Sequence, residues 1–341
     1  MKTKSGKMTV GILTVLLSVS FMFMPISAPA EPIRLKYADF MPASAFTSVQ
    51  MERWKNEVEK QTGGKVAIET FPNSKLLGAV NMIDGIIEGK ADIGCFVMSY
   101  LGDRFVITNG TSLPLKIPDA RVGSLVLWDI YNKYKPESFA KVKVLTMFTT
   151  APSNIMSKKP VRGIRDIKGL DLRASGGAGQ ILKAWGANLA DMPIGKTPEA
   201  LAKGQVQGLL STLDLIQDMN FAETCRFVTM TNTAIYPLAV VMNLDKWNSL
   251  PEDVRKIMAD MGAEQAEWTG KYVDNHVKEA IAWAKETYQV EFIEMTKAQK
   301  TKFDYLIQPL TSQWIRGAKA KGFPAGEIVK DIRKFIRKYS Q

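Results

Sequence analysis

The sequence contains few of the residues on which metal sites and nucleophilic enzymes depend. It has one histidine, His276, and two cysteines, Cys95 and Cys225, among 341 residues. A structural zinc site needs about four cysteine or histidine ligands, and a hydrolytic triad normally needs a histidine base, so any such site would have to use His276. We interpret His276, in the helical stretch KYVDNHVKEA, as structural or solvated. Whether the cysteines, which lie far apart in the sequence, form a disulfide stays open.

Nucleotide-binding motifs are also missing. The glycine cluster GGAG, residues 176–179, is followed by Leu182 where the third glycine of a dinucleotide fingerprint would stand. The net charge of +11 favours anionic partners, but acidic residues are spread among the lysines and no basic run with interleaved aromatics occurs. The sequence therefore predicts neither a cofactor nor a nucleic-acid partner.

Long apolar runs are missing after residue 30, and the run before it has the features of a secretory signal peptide. Lys2, Lys4 and Lys7 precede an apolar run over residues 8–24, and the following ISAPA ends in a small-x-small cleavage signal at Ala30. We expect residues 1–30 to be a signal peptide that is cleaved after Ala30, so that the rest of the protein is exported. A retained membrane anchor is the alternative.

Strands and helices alternate along the remaining sequence. The first three predicted strands are separated by helical stretches, a βαβαβ opening that is typical of a parallel sheet covered by helices. A second unit begins after the fourth strand, and the last strand is suited to crossing back into the first unit. The predicted strands are IRLKYADF, KVAIETF, ADIGCFVM, KVKVLTMFTTA, LDLRAS, VQGLLSTL and TAIYPLAVVMN.

Residues 251–288 predict one very long helix. The segment begins with proline and acids and has no internal proline, and a helix of this length would measure roughly 50 Å or more and lie across both units. We expect an α/β, two-lobed periplasmic binding protein fold with this helix spanning both lobes. Lobe I would comprise residues 31–150 plus about 241–270, and lobe II residues 151–240 plus about 271–341.

Arg173 ends the predicted strand LDLRAS, just before Gly176 and Gly177. Ligand sites of parallel sheets lie outside the carboxyl ends of the strands. A guanidinium group offers a planar fork of donors to a carboxylate or sulfonate and stays charged at any relevant pH. We therefore predict that Arg173 anchors an anionic ligand and that the glycines clear its approach. An ordinary surface arginine beside a turn is the alternative.

Four segments in the right order resemble the solute-binding subunit of TRAP transporters, the DctP-like family of extracytoplasmic solute receptors. They are MIDGIIEGKADIGCF, DIKGLDLRASGGAGQILKAWGAN, TPEALAKGQVQG and VVMNLDKWNSLPEDVRKIM. The resemblance implies that Arg173 pairs with the ligand's carboxylate through both guanidinium nitrogens. It also implies delivery of the ligand in the periplasm to a permease with a small and a large membrane subunit, without chemistry on the ligand.

The sequence departs from the family's pattern around this arginine. Gln207 replaces an acid, and Leu210-Ser211 replaces a Glu-Asn pair, so Ser211 or Thr212 would have to help hold the arginine or the ligand. Thr149 stands where some members carry a second arginine. The predicted site thus has one cation fewer than in those members, and its neighbouring residues are apolar. We therefore predict a ligand with one anionic group instead of a dicarboxylate.

The remaining candidate ligand contacts follow from position alone, and each could instead be a packing residue. Binding sites are mostly apolar with few fixed polar groups, so aromatic and methionine side chains would suit an apolar ligand body. Besides Arg173, Thr149, Ser211 and Thr212, these candidates are Phe40, Met98, Tyr100, Phe148, Ser175, Gly176 and Tyr236.

The predicted function is a periplasmic receptor, expected to be monomeric, that captures a small organic anion between two lobes. The expected ligand is a monocarboxylate with an aromatic or branched body, while a sulfonate or a C4-dicarboxylate receptor of the same family is an alternative. A receptor for an ATP-driven importer or for a membrane kinase also stays open. An alternative of another class is a secreted lyase or hydrolase that uses carboxylates, with Asp39, Asp103 and Asp191 as candidates.

Overall fold

The computed structural model describes residues 1–6 and 31–341. Residues 1–6 contain no helix or strand, and the predicted apolar run and cleavage site of the signal peptide lie outside the described residues. The compact body of the protein is Pro32–Gln341. Among the helices in the described residues, none combines the length and the hydropathy that crossing a membrane requires.

The strands of the compact body form two sheets. They are β1 (Ile33–Ala38), β2 (Val66–Phe71), β3 (Ile93–Val97), β4 (Val142–Thr149), β5 (Asn154–Ser157), β6 (Asp171–Ala174), β7 (Asn188–Asp191), β8 (Gly208–Ser211), β9 (Phe227–Thr229), β10 (Pro237–Asn243) and β11 (Glu291–Ile293). Sheet I has the order β2-β1-β3-β10-β4, and sheet II has the order β11-β9-β5-β8-β6-β7.

Helices cover these sheets. They are α1 (Phe46–Gln61), α2 (Met82–Ile87), α3 (Val106–Asn109), α4 (Ala120–Tyr134), α5 (Ile164–Ile167), α6 (Gly176–Trp185), α7 (Thr197–Ala202), α8 (Leu215–Asp218), α9 (Leu244–Ser249), α10 (Glu252–Asp260), α11 (Gly262–Tyr288), α12 (Lys297–Ala320) and α13 (Ala325–Tyr339). Short 3-10 segments lie at Met98–Phe105, Gly110–Ser112, Glu137–Phe139, Ile194–Lys196 and Phe221–Glu223.

The predicted topology of sheet I is confirmed. Strands β1, β2 and β3 are parallel, as the βαβαβ pattern requires. Strand β10 returns from the second unit and pairs antiparallel with both β3 and β4, so it is the predicted crossing strand. The alternation pattern missed β5, β7, β9 and β11, which have only three or four residues each and carry too little periodic signal.

The prediction of one helix over residues 251–288 is wrong in detail, because the helix is interrupted at Met261. Helix α10 ends at Asp260 and α11 begins at Gly262, where a β-carbon would lie 2.7 Å from the backbone oxygen of Leu145 in β4. The close approach to β4 requires a glycine, which weakens the helix at this point. Helix α11 still spans 27 residues, or roughly 40 Å.

Helix α11 packs on both halves of the molecule. It contacts α1, α4 and β4 on the side of sheet I and α8 on the side of sheet II, so the predicted α/β fold with a long helix across two lobes is confirmed. The last helix, α13, packs on α4, where Ile328 and Ile332 join a cluster with Val122 and Val126. It therefore lies against sheet I, whereas the predicted lobe II includes it.

Candidate functional site

The carboxyl ends of strands from both sheets meet around one small cavity. Phe40 follows β1, Tyr100 follows β3, Arg173 lies in β6, and Ser211 ends β8. This is the place where open parallel sheets bind ligands, because the loops that follow the strands converge there. The lining residues are Phe40, Met41, Phe46, Thr47, Val97, Tyr100, Thr150, Arg173, Ile194, Ser211, Thr212, Leu215, Tyr236 and Leu238.

The cavity has a volume of about 40 Å³. This is room for a few water molecules, whereas organic ligands occupy pockets of roughly 300–1,000 Å³. Its walls come from both sheets, with Phe40 and Thr47 on one side and Arg173 and Ser211 on the other. An organic anion can therefore enter only if the two walls move apart.

Arg173 is the charged residue of this lining, and its side chain is almost fully enclosed. The residue is 1% exposed. Its Nε and Nη2 atoms donate to the backbone oxygen of Met192 at 2.9 and 2.7 Å, and Nη2 also lies 3.4 Å from the hydroxyl of Tyr100. Nη1 has no hydrogen-bond partner within residues 1–6 and 31–341. Met192 thus fixes one edge of the guanidinium and Tyr100 takes the second N–H of Nη2, so Nη1 is the group left for a carboxylate.

No acidic side chain of the described residues neutralises Arg173. It takes part in none of their ion pairs, and the other lining residues are apolar or carry hydroxyl groups. A buried charge without a counter-charge is strongly unfavourable, so it is retained where a ligand supplies the opposite charge. The arrangement is therefore that of an anion-binding site.

A buried carboxylate lies behind the opposite wall. Asp39 accepts hydrogen bonds from the hydroxyls of Thr47 and Ser48, both at 2.7 Å, and from the backbone N–H of Phe40 at 2.8 Å. Burial raises the pKa of Asp39 to about 6, although these hydrogen bonds oppose the rise. Asp39 is thus ionised at neutral pH and makes that wall unfavourable for a second anion.

Six of the predicted ligand residues line the cavity, Tyr100 among them. Arg173 does so from β6, and Tyr236 does so from the segment before β10, with its hydroxyl donating to the backbone oxygen of Leu210 at 3.0 Å. Burial raises the pKa of Tyr236, and the positive charge of Arg173 opposes the rise, which reflects how near the two groups are. The others are Phe40, Ser211 and Thr212.

Three predicted residues point elsewhere. Thr149 is turned toward α4, where its backbone N–H donates to Ser124 Oγ at 3.0 Å and its hydroxyl donates to the backbone oxygen of Ala120 at 3.4 Å. Side chains alternate along a strand, so the next residue, Thr150, lines the cavity in its place. Phe148 packs behind Phe46, with ring centroids 5.9 Å apart, and does not line it.

Met98 is the third of these residues, and it is fully buried in the core of the sheet I side. Tyr100, two residues after Met98, lines the cavity as predicted. Sequence reasoning had no basis for selecting Met41, Phe46, Ile194 or Leu215, which are ordinary apolar residues until the loops are folded together.

The glycines after Arg173 do not line this cavity. Ser175 precedes α6 and is buried, and Gly176 and Gly177 form the first turn of the helix. A β-carbon on Gly176 would lie 2.5 Å from the β-carbon of Ser99, and one on Gly177 would lie 2.8 Å from the backbone oxygen of Ser112. The glycines therefore allow α6 to touch the segments after β3, and they line a separate groove of about 700 Å³ that also reaches Tyr100.

Both cysteines, Cys95 and Cys225, are buried and free.

The acids considered for an enzyme are dispersed. Asp39 is buried behind Thr47, Asp103 is 84% exposed and pairs with Lys321, and Asp191 is exposed at the end of β7.

Comparison with known proteins places the sequence in a described family. Residues 37–317 match the family described as bacterial extracellular solute-binding protein, family 7. The sequence is 50% identical to a TRAP periplasmic solute binding protein from Desulfovibrio salexigens DSM2638, with a TM-score of 0.81 over 90% of this protein and 96% of that one. That protein is an open complex with the C-terminus of a symmetry mate bound in its ligand-binding site.

Two further proteins are more distant. The sequence is 22% identical to a TRAP solute binding protein from Rhodoferax ferrireducens T118, whose structure is in complex with copurified benzoate. The TM-score is 0.86 over 90% of this protein and 98% of that one, which shows a shared fold. It is also 22% identical to the C4-dicarboxylate-binding periplasmic protein DctP of Rhodobacter capsulatus, with 88% of this protein and 92% of that one covered.

Proposed function

The chain belongs to family 7 of the bacterial extracellular solute-binding proteins, the extracytoplasmic solute receptors of TRAP transporters, and we propose that it captures a small organic monocarboxylate between its two lobes. The observation that carries this proposal is the buried Arg173, which has no acidic partner among the described residues and whose Nη1 has no hydrogen-bond partner there. A planar fork of donors suits a carboxylate.

The preference for one anionic group rests on the rest of the lining. No other lining residue carries a positive charge, and the ionised Asp39 lies behind Thr47. A second carboxylate would find hydroxyl and apolar groups but no second cation among the lining residues. The benzoate held by the Rhodoferax protein is a monocarboxylate, which supports the assignment.

A C4-dicarboxylate is the second candidate, because the Rhodobacter relative is named for binding one. A sulfonate would engage the same guanidinium fork. The secreted enzyme proposed as an alternative is less well supported, since Asp39, Asp103 and Asp191 are dispersed between the core and the surface. We propose that the protein does no chemistry on its ligand.

The receptor works by closing on the anion in the periplasm and presenting the closed form to a small and a large membrane subunit. Closure is driven by differential affinity, because only the closed form contacts the ligand from both sides. Lobe I comprises residues 31–150 and about 241–270, and lobe II comprises 151–240 and about 271–324, with α13 packed on lobe I. The receptor is exported after cleavage at Ala30 and acts as a monomer.

A thermal-shift screen tests this function. The purified protein is heated with monocarboxylates, dicarboxylates and sulfonates, each aliphatic and aromatic. We expect monocarboxylates to raise the melting temperature most, since a ligand that binds only the folded state stabilises it by mass action. Stabilisation by C4-dicarboxylates alone, or by sulfonates alone, would contradict the proposed ligand class, and turnover of any of these acids would contradict the receptor function.

A further inference from the structure

We infer that the last helix, α13, carries a docking surface for an anionic lipid bilayer, formed by four basic side chains on its exposed face. These residues, which we call the basic stripe, are Lys330, Arg333, Lys334 and Arg337. The inference goes beyond the proposed function and rests on it in one respect, since a receptor that delivers its ligand to membrane subunits works beside a bilayer.

Helix α13 packs on the rest of the protein through the face opposite the basic stripe. Ala325, Ile328, Val329 and Ile332 are buried on that face, and Ile328 and Ile332 contact the cluster that includes Val122 of α4. The four residues of the stripe are all exposed. Because the buried face holds α13 in place, the basic stripe is not needed for its packing.

The four residues of the basic stripe are neighbours on the helix surface. Lys330 and Lys334 are four residues apart, as are Arg333 and Arg337, so each pair lies on the same side of the helix about one turn apart. The helix rises by roughly 10 Å from the first residue of the stripe to the last. Like charges at this spacing repel each other and destabilise a helix. The stripe is therefore not explained by the stability of α13.

Within residues 1–6 and 31–341, no acidic side chain pairs with the basic stripe. The ion pairs that α13 makes there are those of Asp331 with Lys133 and of Lys338 with Asp129, and neither includes a residue of the stripe. The other acid of the helix, Glu327, lies in its first turn and is in no ion pair of the described residues. The repulsion within the stripe is thus not relieved by a counter-charge from the described part of the protein.

The helix dipole explains only part of this charge. Basic residues in the last turn of a helix interact favourably with its free carbonyl groups, and Arg337 and Lys338 occupy that turn in α13. Lys330 and Arg333 lie near the middle of the 15-residue helix, where the effect of the dipole has faded. For these two residues the favourable partner is a negative charge outside the protein.

An anionic bilayer fits the basic stripe better than a protein partner does. Protein interfaces depend on aromatic and other apolar anchors near their centre, and the stripe itself contains none. The aromatic residue of the same segment, Phe335, packs instead on the cluster shared with α4. A bilayer with anionic headgroups is flat and uniformly negative, so it attracts long basic side chains without a shaped pocket. Each such side chain strengthens the attraction about fivefold.

Vesicle sedimentation tests the inference. The exported protein is mixed with vesicles of phosphatidylcholine alone or with about one third phosphatidylglycerol. We expect the anionic vesicles to bind at least about thirtyfold more tightly, and we expect binding to be lost at about 0.5 M salt, which screens surface charges. Equal binding to both kinds of vesicle, or binding that salt does not weaken, would overturn the inference. The proposed function would stand in either case, because the thermal-shift screen tests it without lipid.

Two matched variants locate the effect. Replacing the four residues of the basic stripe with glutamine should weaken binding to anionic vesicles at least about thirtyfold and leave the melting temperature unchanged. The control replaces four exposed lysines that lie outside α13 and are in no ion pair of the described residues, so it removes the same net charge. These lysines are Lys60, Lys75, Lys159 and Lys183.

The control should weaken binding to anionic vesicles less than about threefold. Equal losses in the two variants would assign the binding to net charge instead of the stripe and would overturn the inference. Binding to the purified membrane subunits that depends on the stripe, without binding to anionic vesicles, would show a protein partner and would also overturn it.

Discussion

The Arg173 guanidinium and the Tyr100 hydroxyl are 3.4 Å apart, although Arg173 lies in sheet II and Tyr100 follows a strand of sheet I. The same hydroxyl accepts the backbone N–H of Ile194 at 3.2 Å. Tyr100 is therefore a bridge between the two halves of the molecule at the point where the ligand is expected to bind. Its hydroxyl contributes in the closed arrangement and loses these partners when the halves separate.

Replacing Tyr100 with phenylalanine should weaken ligand binding without unfolding the protein. Tyr100→Phe removes one hydrogen-bonding group from the closed form, which corresponds to about a five- to tenfold loss of affinity. Calorimetry with the best acid from the screen measures this loss. Tyr305→Phe is the matched control, because Tyr305 is 67% exposed and its replacement should leave binding of the acid unchanged. Equal affinities for the two variants would show that the Tyr100 hydroxyl does not contribute to ligand binding.

The contact between α6 and Ser112 predicts a second effect. Gly177→Ala would place a β-carbon 2.8 Å from the Ser112 backbone oxygen, so the variant should resist closure and bind the acid at least about tenfold more weakly. The melting temperature without ligand should change little, because the open form can relieve the clash. Gly163→Ala is the control, since no atom lies within 4 Å of its new β-carbon. Unchanged binding by Gly177→Ala would mean that this contact is not part of closure.

Much of the fold could be predicted from the sequence, because its long elements carry strong periodic signals. The parallel opening β1, β2 and β3 and the crossing strand β10 were all recognisable. Short strands such as β7 were not, since pairing with β6 decides their structure. The interruption before Gly262 was also hidden, because it depends on the approach of Leu145 from a distant part of the sequence.

The site was predictable in part. Arg173 was recognisable as a cation at a strand end, and its lack of an acidic partner emerged only from the folded structure. The choice between Thr149 and Thr150 depends on which face of β4 meets the cavity, and adjacent threonines carry no such information. The direction of the Thr47 hydrogen bond depends on Asp39, whose burial no local pattern predicts.

His276 predicts a dependence of stability on pH. The hydrogen bond with Asp218, at 2.8 Å from His276 Nε2, raises the pKa of His276 from 6.5 to about 9, although burial opposes the rise. The imidazolium also lies 3.6 Å from Glu279 and its ring stacks on Tyr272. A group whose pKa is raised by folding stabilises the protein fully below the unfolded value of 6.5 and loses this contribution as the pH rises through 9.

The free energy of unfolding should therefore fall by about 1.5 kcal/mol between pH 7.5 and pH 9. Asp39 and Asp214, with pKa values raised to about 6 and about 7, have lost most of their protons below this window. Urea unfolding at the two pH values measures the change, and His276→Gln should show less than half of it. The same decrease in His276→Gln would contradict the role of the Asp218 contact.

The binding of the best-stabilising acid by Arg173 variants, measured by calorimetry, tests the central claim most directly. We predict that Arg173→Ala folds with an undiminished melting temperature, because it removes a buried unpaired charge, and that it shows no measurable binding. Arg173→Lys should bind at least about a hundredfold more weakly than the unaltered protein, since an ammonium cannot reproduce the fork of donors. Arg165→Ala, on the exposed surface of α5, should bind normally. Unchanged affinity in a folded Arg173→Ala would contradict the account.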